Sequence, residues 1–127
     1  MDKILAEISA GELIDKITIL EIKKEKINDK EKLIEIDKEM TSLKETLKKS
    51  ISDESKILSF KKDLKNINLK LWDIEDGKRA AEKNNQFDEK FIELARSVYK
   101  FNDERAKIKS AINEALGSNI KEVKSYE

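Results

Sequence analysis

ILSFKKDLKNINLKLWDI, residues 57–74, and FIELARSVYKFNDERAKIKSAINEA, residues 91–115, carry apolar side chains at steps of three and four. In the first stretch these are Ile57, Phe60, Leu64, Ile67, Leu71 and Ile74. In the second they are Phe91, Leu94, Val98, Phe101, Ile108 and Ile112, with Arg105 and the small Ala115 in the same phase. Such spacing puts each set on one stripe of an α-helix, and a stripe of this kind is buried against another helix. The two stretches therefore predict a long antiparallel helical pair, and with it an all-α, up-and-down helical bundle.

The chain of 127 residues fits one domain, 1–127. Its charged fraction is 43%, yet 27 basic and 27 acidic side chains cancel. With no bulk field to draw in nucleic acid or an anionic membrane, neither is expected as a partner. The arginines are only Arg79, Arg96 and Arg105, and the aromatic residues sit largely in the apolar stripes rather than interleaved with a basic patch. The alternating Lys and Glu read as solvated helix faces with i to i+4 pairs.

Cysteine and histidine are both absent. Disulfides, thiolate catalysis and Cys-ligated zinc are thereby excluded, and the commonest general base near neutral pH is missing. No cofactor and no metal are expected, and no catalytic residue can be named. No segment approaches the roughly 20 apolar residues of a membrane span, and MDKILAEISAGEL lacks a signal-peptide core, so a cytoplasmic location is expected.

Proline is absent and the glycines are only Gly11, Gly77 and Gly117, so helix ends must be read from caps. Ser9 with Glu12 forms a capping-box pattern, and Ile8 can staple onto Leu13, which starts a first helix near Ala10. Asn28 with Glu31 repeats that pattern more weakly, and Ser52 and Asp53 can start another helix. Asn84 to Asp88 reads as a turn whose Asp88 caps the last helix, which stops at Gly117. Residues 10–50 leave two architectures open. As one helix they make a three-helix bundle; a break at Asn28 and Asp29 makes four helices with both termini at one end, the preferred version. That version lets KILAEIS and NIKEVKS pair as short terminal β-strands. Ile19 and Ile22, if left outside the bundle, form the seam of a homodimer.

The unusual polar chemistry lies in LWDIEDGKR, residues 71–79, and LARSVYKFNDERA, residues 94–106. Folding the two helices about a turn near residue 85 or 86 makes opposite residue numbers add to about 171. Glu75 and Asp76 then face Arg96, Trp72 faces Tyr99, and Asn66 faces Arg105. A guanidinium at a seam position needs carboxylates or amides, with Asp63 and Asn66 the nearest candidates. In one reading Arg96, Arg105, Asp73 and Asp76 are polar locks that fix helix register, and Arg105→Leu keeps or raises stability provided Asp63 is not left buried alone. In another, Trp72, Arg96, Tyr99 and Arg105 build a small anion or ligand pocket. A magnesium site from Glu12 with Asp15 and Asp73 with Asp76 is a third. The Glu-x-x-Glu signature of the all-α nucleotide pyrophosphohydrolases occurs nowhere in the chain, which weighs against that reading. ELIDKITILEIKKEKI also looks faintly like the first helix of an all-α chorismate mutase, but the arginines such a site needs are missing.

SAGELIDKITILEIK, LWDIED, LARSVYKFNDERA and the closing GSNIKEVKSY together resemble a family of small bacterial and phage proteins catalogued only as a domain of unknown function. The resemblance spans nearly the whole chain. That family favours Pro at the position of Ala10, a good first helical residue, and more Arg where this chain has Lys. The resemblance implies that Trp72, Asp73, Asp76, Arg96, Asn102, Asp103 and Arg105 matter together, and it carries no activity. The resulting expectation is a protein-interaction or accessory module that self-associates as a homodimer or binds a protein partner. The alternative is a small-molecule or anion-binding protein, or a magnesium-dependent enzyme, that uses the Trp72, Asp73, Asp76, Arg96 and Arg105 cluster.

Overall fold

The computed structural model describes residues 1–124 and contains four α-helices, α1 (Ala10–Lys26), α2 (Lys30–Ser50), α3 (Leu58–Lys83) and α4 (Glu89–Leu116). A short 3-10 turn, Glu54–Ile57, leads into α3. The four-helix version is the one formed. The break after α1 is capped by Asp29 rather than Asn28: its carboxylate accepts from the backbone N–H groups of Glu31 and Lys32 at 3.0 and 3.2 Å. Ser9 accepts from Glu12 N at 3.1 Å and Asp88 from Phe91 N at 3.3 Å, so both expected caps are in place. Gly117 ends α4 in the left-handed conformation at φ 62°, and Ser118 N returns to the Asn113 carbonyl at 2.9 Å.

No strand occurs among the described residues, which corrects the expectation of paired terminal strands; Ser125 of NIKEVKS and Tyr126 of the closing motif lie outside them. The two ends do meet. Ser118 Oγ accepts from Ala10 N at 3.0 Å, and Asn119 Nδ2 donates to Glu7 Oε1 at 2.7 Å. These side chains take the polar groups at the junction, and no backbone ladder forms there.

Helix α1 packs against all three of the others. Its buried residues are Leu13, Ile14, Ile17, Leu20 and Ile22, and also Gly11, Asp15 and Thr18, so it is enclosed nearly all round. That is why its sequence shows no single apolar stripe. Ile22 is only 1% exposed and therefore belongs to the interior, not to a dimer seam. Ile36, Met40 and Leu47 lay α2 against α1, and Ile57 of the 3-10 turn, Leu64 of α3 and Ile112 of α4 complete the core.

No residue between Leu64 and Ile108 belongs to that central core cluster. Toward its turn the α3–α4 pair is a two-helix arm, in which Leu71, Phe91, Leu94, Val98 and Phe101 are half-buried. The arm keeps the register expected from its turn: Lys70 Nζ stands 5.2 Å from the centre of the Phe101 ring, and a Cβ on Gly77 would meet Leu94 at 3.1 Å. Asn85 makes the turn at φ 52°, a conformation that a short polar side chain tolerates.

Candidate functional site

Asp15, on the second turn of α1, is fully buried at 0% exposure. Burying a carboxylate is costly unless it is paired and hydrogen-bonded, and three elements supply the partners. Arg105 from α4 donates Nε–H to both Asp15 oxygens at 3.0 and 3.2 Å, and its NH2 group also donates to Oδ2. Asn68 from α3 donates Nδ2–H to Asp15 Oδ1 at 2.9 Å and to Thr18 Oγ1 at 3.0 Å. The Thr18 hydroxyl donates to the Asp15 carbonyl at 2.8 Å. Lys109 stands 3.9 Å from Asp15 Oδ2 and is held by Glu12 at 2.6 Å and by Glu122 at 3.0 Å. One carboxylate thus ties α1 to both long helices through charge-assisted bonds.

Arg105 has the partner its seam position demands, but on α1. Asp63 and Asn66, the residues expected from the α3–α4 register, are exposed. The physical reason is that α1 lies against both long helices at this level and presents Asp15 to the seam. The bonds to Asp15 raise the Arg105 pKa above its usual value. For Lys109, burial opposes the charged form, yet the bonds to Glu12 and Glu122 outweigh it and the pKa is raised. Lys124 and then Lys109 pull Glu122 down to about 2.

The close approach of α1 and α4 is set one turn away. Asn113, 3% exposed, accepts from Gly11 N at 2.7 Å through Oδ1. Asp15, Asn68, Lys109, Asn113 and Gly11 were all missing from the residues expected to matter as a group. Their signal was weak: polar residues inside otherwise apolar runs, such as Asn68 between Ile67 and Leu71, or Asp15 between Ile14 and Ile17.

Two clefts flank Arg105, and Asn102 and Arg105 line both. The first, of about 410 Å³, has apolar walls from Ile19, Ile22, Leu71 and Trp72, with Asn68, Glu75 and Arg79 around them. The second, of about 550 Å³, is lined by Val98, Tyr99, Asp103, Ala106 and Lys109, and by Glu122 and Lys124 from the C-terminal segment. Of the residues singled out in the sequence, Trp72, Asn102 and Arg105 therefore meet at the first cleft, and Tyr99, Asn102, Asp103 and Arg105 at the second. Trp72 and Tyr99 share neither. Asp73, Asp76 and Arg96 are exposed and line neither cleft. Glu75 and Asp76 do not pair with Arg96; each has a cation one turn along its own helix, Lys78 at 3.3 Å and Arg79 at 3.8 Å. Glu12 and Asp15, read as half of a magnesium site, hold Lys16, Lys109 and Arg105 instead. Among the described residues no group of three or more acidic side chains is arranged to hold a metal ion.

Residues 4–127 match the model of a family described as Family of unknown function (DUF6165). The chain belongs to that family. The matched span takes in every residue of the Asp15 network and both clefts. No curated protein and no solved structure matches the chain. Membership of DUF6165 thus comes without an activity, and the site must be read from its own chemistry. No described helix is long and apolar enough to cross a membrane.

Proposed function

We propose that this DUF6165 protein is an interaction module that self-associates through the arm formed by α3 and α4. The observation that carries the reading is the half-burial of the arm. Leu94, Val98 and Phe101 stay half-buried on an arm that contributes nothing to the central core cluster, while Phe87, Ile92 and Tyr99 are 52%, 51% and 55% exposed. A second arm laid against the first turns two helices into four and covers these side chains, the arrangement in which a two-helix hairpin completes a core. The Asp15 network fits the same reading. Its acids and bases neutralise one another, so its role is to fix α1 on the hairpin that carries the arm.

Sedimentation equilibrium of the full chain tests the proposal. Wild type is expected to sediment as a dimer, and Ile92→Glu as a monomer with unchanged helical content. A wild type that stays monomeric at high protein concentration contradicts it.

A further inference from the structure

The first cleft has a feature that self-association does not use. Asp15 can only accept hydrogen bonds, so the Asn68 amide must turn its Nδ2 toward Asp15 and its Oδ1 away. Among the described residues no donor reaches that Oδ1, although Asn68 is only 6% exposed. Among the described residues the one fully enclosed side-chain polar atom without a partner is Glu21 Oε1, so Asn68 Oδ1 retains an opening, on a side chain that lines the cleft. Arg105 adds the complementary feature. Of the five N–H groups of a guanidinium, three reach Asp15 and Asn102, which leaves one on each terminal nitrogen.

An acceptor and unused donors therefore belong to two residues that line one cleft, with apolar walls from Ile19, Ile22, Leu71 and Trp72 and with Glu75, Arg79 and Asn102 beside them. Its volume of about 410 Å³ falls within the range of small-molecule sites. An anion is a poor match. Asp15 already balances the Arg105 charge, Arg79 has Asp76 at 3.8 Å, and the Asn68 lone pairs and the Glu75 carboxylate border the same space. A neutral amide is a good one: its carbonyl accepts from Arg105, its N–H donates to Asn68 Oδ1, and a flat ring covers the apolar walls.

We propose that this cleft binds a small planar molecule that presents a neutral amide or lactam edge to Asn68 and Arg105. The proposal is independent of self-association, since it rests on residues at the base of the arm.

Trp72 is the only tryptophan of the chain, so its fluorescence reports on the cleft directly. The full chain is titrated with benzamide and with benzoate, which share a shape and differ in charge, and each titration is repeated by saturation-transfer NMR. Benzamide is expected to saturate and to bind at least about tenfold more tightly than benzoate, the factor that one lost hydrogen bond supplies. Ile19→Phe fills the apolar wall and is expected to abolish benzamide binding with the helical signal and Tm retained. Leu71→Phe, on the same apolar lining, serves if Ile19→Phe does not fold. No saturable benzamide signal by either method overturns the proposal. So does benzoate binding as tightly as benzamide, or unchanged binding in a folded Ile19→Phe or Leu71→Phe variant.

Discussion

Gly11 of α1 lies directly against the backbone of Lys109 on α4: a Cβ built on Gly11 would stand 2.9 Å from the Lys109 carbonyl carbon. One helical turn onward from Gly11 is Asp15, and one turn back from Lys109 is Arg105. The backbone contact therefore sets the spacing at which the ion pair closes. Gly11→Ala is expected to push the helices apart and to cost about 1–3 kcal/mol, as overpacking does. Urea denaturation checks this; a midpoint equal to that of wild type contradicts the close approach.

Among the described residues, Asn113 offers the only acceptor for the Gly11 N–H. Because that donor is buried, Asn113→Ala is expected to cost about 1–3 kcal/mol, the penalty for a buried group left without a partner. Ser118→Ala removes the acceptor of Ala10 N in a half-buried setting and is expected to cost less. Thermal melts of the two variants, side by side, give the ranking.

Acidification tests the C-terminal clamp. Glu122 is held at about 2, below its ordinary 4.5, by Lys124 and Lys109. A carboxylate depressed in the folded state stabilises above its unfolded value and loses that contribution as the pH falls through the folded one. The Tm gap between wild type and Glu122→Gln is therefore expected to be present near neutral pH and to shrink between pH 4.5 and 2. Lys109 is raised, so its own contribution is complete below its ordinary 10.5 and fades only as the pH rises beyond that.

Helices α3 and α4, their register and the two caps of α4 were legible in the sequence, because a stripe, an Asp88 cap and a Gly117 stop are all local signals. The α1–α2 break was the preferred of two readings, and Asp29 fixes it by accepting two backbone N–H groups. Helix α1 was harder to read since burial on every side erases the periodicity from which a face is read. The Asp15 network stayed hidden for a related reason. Arg105 announced that it needed a partner, but the partner lies 90 residues away on a third helix. Periodicity ranks the faces of one helix and says nothing of which third helix meets them. Trp72, Asn102 and Arg105 do share a cleft, whereas Asp73, Asp76 and Arg96 are surface residues at which the same motif letters carry no shared contact.

The Asp15–Arg105 pair reverses one expectation drawn from sequence, that Arg105→Leu keeps or raises stability. That substitution leaves the fully buried Asp15 carboxylate without its bidentate partner. It is expected to cost about 3 kcal/mol, the lower end for breaking a buried pair because Arg105 keeps part of its side chain in water.

A double-mutant cycle over Asp15→Leu, Arg105→Leu and the combined variant, followed by urea denaturation, tests most directly whether this pair holds α1 on the hairpin. The two single variants are each expected to be destabilised, and the double variant to recover stability, with a coupling of about 1–3 kcal/mol. Single losses that simply add, or an Arg105→Leu variant as stable as wild type, would contradict the account.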